Sequence, residues 1–306
     1  MNRFSRFVIP AAFLGLGLIW GSSFLWIKIA LDELPAATLA AERITIGALV
    51  MLVYLRVVGM RLPGTWRELL PLAVVGLLNA AVPYILISWG EEVVDSGTAA
   101  VLNSLAPIFS LLIAGLYLRV EPVTGLRVIG LVIGFGGAAV LASRELALRD
   151  DPLALAGAGA VMLAAVSYAV AASYARHHLK VTHRYVVSGG TLVFGAIFAW
   201  MVALPADGFQ LPQQPDTIVS MLWLGVMGAF VAYLLYFFLI AELGATLAAM
   251  VTYVFPVVGV ALGVAFLDEV LDLRLVAGTV LVVVGIAVVS LRYDRAVSRA
   301  PSGKRS

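Results

Sequence analysis

The sequence predicts an all-α polytopic membrane protein of ten transmembrane helices, arranged as two inverted five-helix repeats. Three observations predict this class: the composition, the distribution of positive charge and an internal repeat at half the chain length. Of 306 residues, 62% are hydrophobic and 12% are charged, against roughly 45–50% and about 25% in soluble domains. A span takes about 20 mostly apolar residues, and this chain holds enough for roughly nine or ten. That excludes a cytosolic enzyme, a disordered chain and a nucleic-acid binder. The strands of a membrane β-barrel alternate in polarity over roughly ten-residue segments, whereas these apolar runs are continuous. There is no cysteine, so disulfides, thiolate nucleophiles and Cys-based metal sites are absent.

Charges and turn residues divide the chain into spans at 8–28, 36–56, 69–89, 96–118, 124–142, 152–174, 185–204, 218–241, 245–267 and 272–291. Arg3 and Arg6 before an apolar run resemble a signal peptide. The run continues past Trp20 to Ile29 without a small-residue cleavage site in a polar context, so it reads as the first span. With the N-terminus in the cytoplasm, 15 of the 20 Lys and Arg residues fall in cytoplasmic segments. Four, Lys28, Arg144, Arg149 and Arg274, fall on the other side. This bias places both termini in the cytoplasm, in agreement with an even number of spans. The basic tail 292–306 reads as a solvated anchor beside the lipid headgroups. His177, His178 and His183 share one cytoplasmic loop and read as part of a solvated basic surface, so neither a metal nor a cofactor is expected.

Two stretches match, one starting at Gly97 and the other at Ala245. Each has a mid-span proline (Pro107, Pro256) followed 13 or 14 residues later by a glutamate (Glu121, Glu269). Glycines follow each glutamate after 9 and 16 residues: Gly130 and Gly137, Gly278 and Gly285. The offset of about 148 residues is half the chain, giving repeats at 8–142 and 152–291. Five is odd, so a five-span unit in tandem comes out inverted, a build found in many secondary transporters.

The residues Trp20-Gly21-Ser22-Ser23-Phe24, Arg43, Leu105-Ala106-Pro107-Ile108-Phe109 and Glu121 occur in order in the first half. Ala232-Tyr233, Glu242-Leu243-Gly244-Ala245-Thr246, Pro256 and Glu269 occur in the second. In this order the chain, over about 10–290, resembles EamA-type members of the drug/metabolite transporter superfamily. The resemblance implies ten helices in two EamA repeats, in the bacterial cytoplasmic (inner) membrane. It also implies transport of a small metabolite, often export of an amino acid or related compound. Import or exchange of sugars or drug-like compounds occurs on the same fold, and a non-transporting membrane protein is the remaining alternative. The chain carries no H-E-x-x-H, no G-x-S-x-G and no intramembrane Asp or His cluster, so enzyme chemistry is not expected. The expected partners are a small-molecule substrate and the lipid bilayer. Spans 5 and 10, poor in internal polar groups, are the expected periphery and the expected face for a homodimer.

Polar residues inside spans are costly and face the bundle interior or a water-filled cavity. Trp20 and Ser23, three apart, share a face of span 1, while Gly17 and Gly21 suit close helix packing. In span 2, Glu42 and Arg43 point about 100° apart. Arg43 is expected to make a structural ion pair with Glu91 or Glu92, or to hold an anionic substrate group, and Glu42 to snorkel outward. Asn79 and Tyr84 flank Pro83; Asn103 precedes Pro107, and Thr252 and Tyr253 precede Pro256. A proline frees the carbonyl four residues earlier, so these are expected polar patches, with Pro107 and Pro256 as bend points for gating. Ser167, Tyr168 and Tyr233 complete the expected substrate-binding set. The lack of a carboxylate at mid-span favours facilitated diffusion, or coupling through a peripheral acid such as Glu42.

Overall fold

The computed structural model describes residues 3–113, 124–180, 182–243 and 250–290. Glu121, Gly244, Ala245, Thr246 and the tail 292–306 lie outside the described residues. Among the described residues, seven helices are long and apolar enough to cross a membrane: α1 (Val8–Ala30), α2 (Ala36–Val57), α3 (Trp66–Val93), α5 (Gly125–Arg149), α6 (Leu153–His178), α7 (Arg184–Asp207) and α8 (Pro215–Leu239). Three shorter apolar helices are α4 (Ser96–Leu112), α9 (Met250–Phe266) and α10 (Leu273–Val289). Among the described residues every regular element is helical.

Several bounds differ from those the hydropathy suggests. The largest difference is at α5, which continues past residue 142 through Ser143-Arg-Glu-Leu-Ala-Leu-Arg149. Those residue types favour helix, so Arg144 and Glu145 sit on its last turns and not in a loop. The prolines also act differently from simple bends. α4 ends a first segment at Asn103, turns at Ser104 and Leu105, and restarts at Ala106 with Pro107 in its first turn. α9 begins as a 3₁₀ turn over Met250–Tyr253 and becomes α-helical at Val254, with Pro256 in that first turn. A proline needs no N–H bond there, so each begins a new helical segment.

Two further irregularities match. α3 widens into a π-helical stretch at Leu77–Ala81 and α8 does so at Trp223–Val231. Asn79 to Tyr84 in α3 corresponds to Gly228 to Tyr233 in α8, with both stretches just before the tyrosine.

Lipid tails give helices no hydrophobic reason to associate, so close backbone contact at small residues carries the packing. α5 and α10 meet along glycines: a Cβ on Gly130 would lie 2.8 Å from the Gly285 carbonyl oxygen, and one on Gly137 2.8 Å from that of Gly278. Gly130, Gly137, Gly278 and Gly285 thus face one another within the chain. The same exchange occurs elsewhere. A Cβ on Gly47 of α2 would lie 2.6 Å from the Cβ of Ala229 in α8, and one on Gly195 of α7 would lie 2.6 Å from the Cβ of Ala80 in α3. α2 also packs lengthwise on α7. Gly17 and Gly21 of α1 sit against Val254 and Val258 of α9, as the small-residue spacing suggests.

A Cβ on Gly136, by contrast, would meet no described atom within 4 Å. Gly137→Leu is expected to cost about 1–3 kcal/mol by overpacking, read as a lower thermal unfolding midpoint in detergent. Gly136→Leu, one residue away on the same helix, is expected to leave the midpoint unchanged.

Candidate functional site

Where α1, α2, α3, α6 and α8 converge, polar side chains gather inside the bundle. The indole N–H of Trp20 donates to the carbonyl of Gly228, in the π-helical stretch of α8, at 3.1 Å. The Ser167 hydroxyl donates to the carbonyl of Leu78, in the π-helical stretch of α3, at 2.7 Å. A π turn disturbs the regular backbone ladder and is often found at functional sites. Here a side chain from α1 or α6 occupies one carbonyl of each. Across the interior, Asn79 Nδ2 donates to the Tyr233 hydroxyl at 2.8 Å.

Arg43 lies among these groups and is 4% exposed. Its guanidinium carbon sits 4.0 Å from the centre of the Tyr84 ring, a cation–π contact. The absent side chain of Gly228 leaves room faced by Ser23 Oγ and Arg43 Nη2, at 3.4 and 4.0 Å from where a Cβ would be. Arg43 Nε has no hydrogen-bond partner, and among the described residues no carboxylate pairs with Arg43. The expected ion pair to Glu91 or Glu92 is therefore not formed. Glu42 does not snorkel either: it is buried, with Oε1 unpartnered.

The structure thus brings together Trp20, Ser23, Arg43, Asn79, Tyr84, Ser167, Tyr168 and Tyr233. Asn103, at the break in α4, is buried with its Oδ1 unpartnered, as its place before a proline suggests. Tyr253 turns elsewhere: its hydroxyl donates to the Ile286 carbonyl of α10 at 3.0 Å, so it serves the α9–α10 contact. Thr252 is half-buried beside it. Sequence reasoning misses the two π-helical stretches and the buried Ser88 of α3, and takes Glu91 only as a partner for Arg43. The spacing of Tyr84, Ser88 and Glu91, four and three apart, is the available signal.

One end of the bundle is held by carboxylates. The N-terminus of α2 is bound by Asp207 of α7, which accepts from Thr38 N at 3.0 Å. That of α4 is bound by Glu269, which accepts from Gly97 N at 3.0 Å, and by Glu145 of α5, which accepts from Asp95 N at 3.1 Å. Glu33 accepts from Gln213 N at 2.7 Å and Gln214 N at 3.1 Å at the start of α8. Asp151 and Asp272 do the same for α6 and α10. Free N–H groups and the positive end of the helix dipole both favour an acid there. Arg144, 1% exposed, ties the acids together through Asp95 Oδ2 at 2.9 Å, Glu145 Oε1 at 2.7 Å, Asp272 Oδ2 at 2.9 Å and the Val270 carbonyl at 2.6 Å. Arg149 adds a second contact to Asp95 at 2.9 Å.

A bundle of membrane-length helices around a buried polar cluster defines a multi-pass membrane protein with an interior site. The EamA-like transporter family model matches residues 9–143 and again 155–291; the chain belongs to this family, within the drug/metabolite transporter superfamily, and is a membrane transporter. An uncharacterized transporter of Archaeoglobus fulgidus is 29% identical, over 88% of this chain and 94% of its own length. A probable terminal-alkyne amino-acid exporter of Streptantibioticus cattleyicolor is 26% identical over 89% and 90%. The uncharacterized inner membrane transporter YedA of Escherichia coli is 29% identical over 85% and 83%. A protein crystal structure with 19% identity superposes with a TM-score of 0.65, covering 96% of this chain and 99% of that one.

The Glu33 clasp carries a pH signature. Hydrogen bonds from the Thr217 side chain and from the Gln213 and Gln214 backbones hold the Glu33 carboxyl below the usual carboxylate value. A depressed acid stabilises the fold above its unfolded value and loses that contribution as pH falls through its folded value. Glu33→Gln is therefore expected to lower the unfolding midpoint at neutral pH. The two proteins should converge as the pH drops through the acidic range, in a thermal melt at stepped pH.

Proposed function

We propose that the chain is a secondary transporter that exports an amino acid or a related zwitterion across the cytoplasmic membrane by alternating access. Its two EamA halves, 8–142 and 152–291, act as inverted repeats of five spans each, with both termini in the cytoplasm and the clasped end outside. Reciprocal packing supports the repeat reading. Gly130 meets Gly285 while Gly137 meets Gly278, and Gly47 meets Ala229 while Gly195 meets Ala80. Each pair turns into its counterpart on adding the repeat offset of 148 or 149 residues. The basic residues concentrated opposite the clasped end support the orientation.

The observation that carries the substrate class is Arg43. A buried guanidinium without a carboxylate partner is costly in a membrane interior unless it serves a ligand, and a carboxylate is the group its fork fits. One positive group suits a singly charged carboxylate better than a phosphorylated or di-anionic compound. Asn79, Asn103, Ser23 and the tyrosines add neutral donors and acceptors for an amino group or side chain. The name of the Streptantibioticus cattleyicolor relative, an amino-acid exporter, points the same way. Substrate binding is read here as a property of Trp20, Ser23, Asn79, Tyr84, Asn103, Ser167, Tyr168, Tyr233 and Thr252. Pro107 and Pro256 mark where α4 and α9 change direction in the cycle.

A thermal-shift screen of the purified protein against amino acids tests this, because a ligand at a hundred times its Kd stabilises by about 2.7 kcal/mol. The expected hit is an amino acid whose shift disappears in Arg43→Gln and whose decarboxylated amine gives none. A hit that stabilises Arg43→Gln equally would remove Arg43 from the site. In counterflow with that amino acid, Asn103→Ala and Thr252→Ala are expected to change uptake with little loss of folded protein. Unchanged uptake in both removes them from the site.

A further inference from the structure

Glu91 has no role in the packing described above. It stands near the clasped end of α3, is 0% exposed, and neither carboxylate oxygen has a hydrogen-bond partner. Such an arrangement is expensive for an ionised carboxylate, and a buried polar group without partners calls for a specific explanation.

Its setting supplies one. Tyr84, Ser88 and Glu91 follow each other on one face of α3 at steps of four and three residues. All three are buried, and the Ser88 hydroxyl is unpartnered as well. The stripe starts at Tyr84, under the Arg43 guanidinium, and ends at Glu91, beside the clasp. The charged groups acting on Glu91 are Lys28 of α1, Arg43 of α2 and Glu269 of the α9–α10 loop; Glu92 is its neighbour on α3. α4 has no ionisable residue over Ser96–Leu112, and α6 approaches at Gly157 and Val161. The Lys28 ammonium does not pair with the Glu91 carboxylate. It donates instead to the backbone carbonyls of Glu91 and Val94 at the end of α3.

We infer that Glu91 is a proton-binding residue that couples transport to the proton gradient, linked to the substrate position through Ser88, Tyr84 and Arg43. In the clasped state the carboxyl is sealed from water. When the clasp opens, the carboxyl exchanges its proton with water: a carboxylate lone pair forms the O–H bond as a hydronium O–H bond breaks, and the reverse step returns the proton to water. Of the two expectations from the lack of a mid-span acid, this takes coupling through a peripheral acid, with Glu91 in place of Glu42.

The inference rests on the transporter reading proposed above, and one pair of measurements separates the two. The first is infrared difference spectroscopy of the full-length protein in lipid, stepped from acid to alkaline pH. A protonated-carboxyl C=O band that titrates in wild type and is missing in Glu91→Gln is expected. The second is L-leucine counterflow in proteoliposomes, expected to vary with pH by up to about tenfold per unit for a single controlling group. In Glu91→Gln the profile is expected to be flat. An unchanged band or an unchanged pH profile in Glu91→Gln overturns the inference. Absence of leucine counterflow in wild type, with the Glu91 band present, counts against the amino-acid reading and leaves the proton site standing. Should Glu91→Gln not fold, Lys28→Met serves: removal of a favourable positive charge is expected to move the band's midpoint to higher pH, and no movement overturns the inference.

Discussion

Backbone N–H groups at helix starts have no intrahelical acceptor. At one end of this protein carboxylates supply it, several from other helices, and much of the architecture at that end follows. Asp207 holds α2, Glu269 and Glu145 hold α4, and Glu33 holds α8. Each bond joins segments far apart in sequence. Arg144 then neutralises the accumulated negative charge from a buried position and fixes α4, α5 and the α9–α10 loop to one another. A buried cation with four acceptors satisfies the conditions under which burial of charge is tolerated, namely pairing and full hydrogen bonding.

Away from the clasp, the bundle is held by shape. Gly130, Gly137, Gly278 and Gly285 bring two backbones into contact, and Gly47 and Gly195 do the same for the helices beside the interior site. The clasped end is directional and polar, whereas the middle is smooth and apolar. The two π-helical stretches lie between these regimes. They offset the regular hydrogen-bond ladder where Trp20 and Ser167 reach in, so the site is built from backbone as much as from side chains.

Much of this is legible in the sequence, and the failures have physical causes. Hydropathy locates helices because span length is set by the bilayer. The prolines and glycines at a constant offset announce the repeat. Trp20, Ser23, Asn79, Tyr84, Ser167, Tyr168 and Tyr233 do converge, because polar side chains in apolar helices have few places to go. Hydropathy misplaces the end of α5, since Arg144 and Glu145 look like a loop until their partners are known. Charge pairing misassigns Arg43, whose guanidinium lies over the face of Tyr84 and pairs with no carboxylate among the described residues. Tyr253 has the spacing of a site residue, yet its hydroxyl serves a helix contact; direction around a helix near a 3₁₀ turn does not follow from a regular period. The π-helical stretches have no simple residue signature, so only the backbone reveals them.

Alternating access, as proposed above, requires the clasp to be one closed gate of a molecule that also opens at that end. The natural absence of cysteine makes distance measurement between two introduced spin labels direct. One pair at Glu92 and Leu271 reports the clasped end, and one at His177 and Glu242 reports the opposite end; all four positions are exposed. In lipid bilayers the predicted result is two distance populations at each end, the longer one at the clasp accompanying the shorter one opposite. Their ratio should shift when Glu269→Gln and Glu33→Gln weaken the clasp. A single distance at Glu92–Leu271, unmoved by those substitutions, would contradict the account.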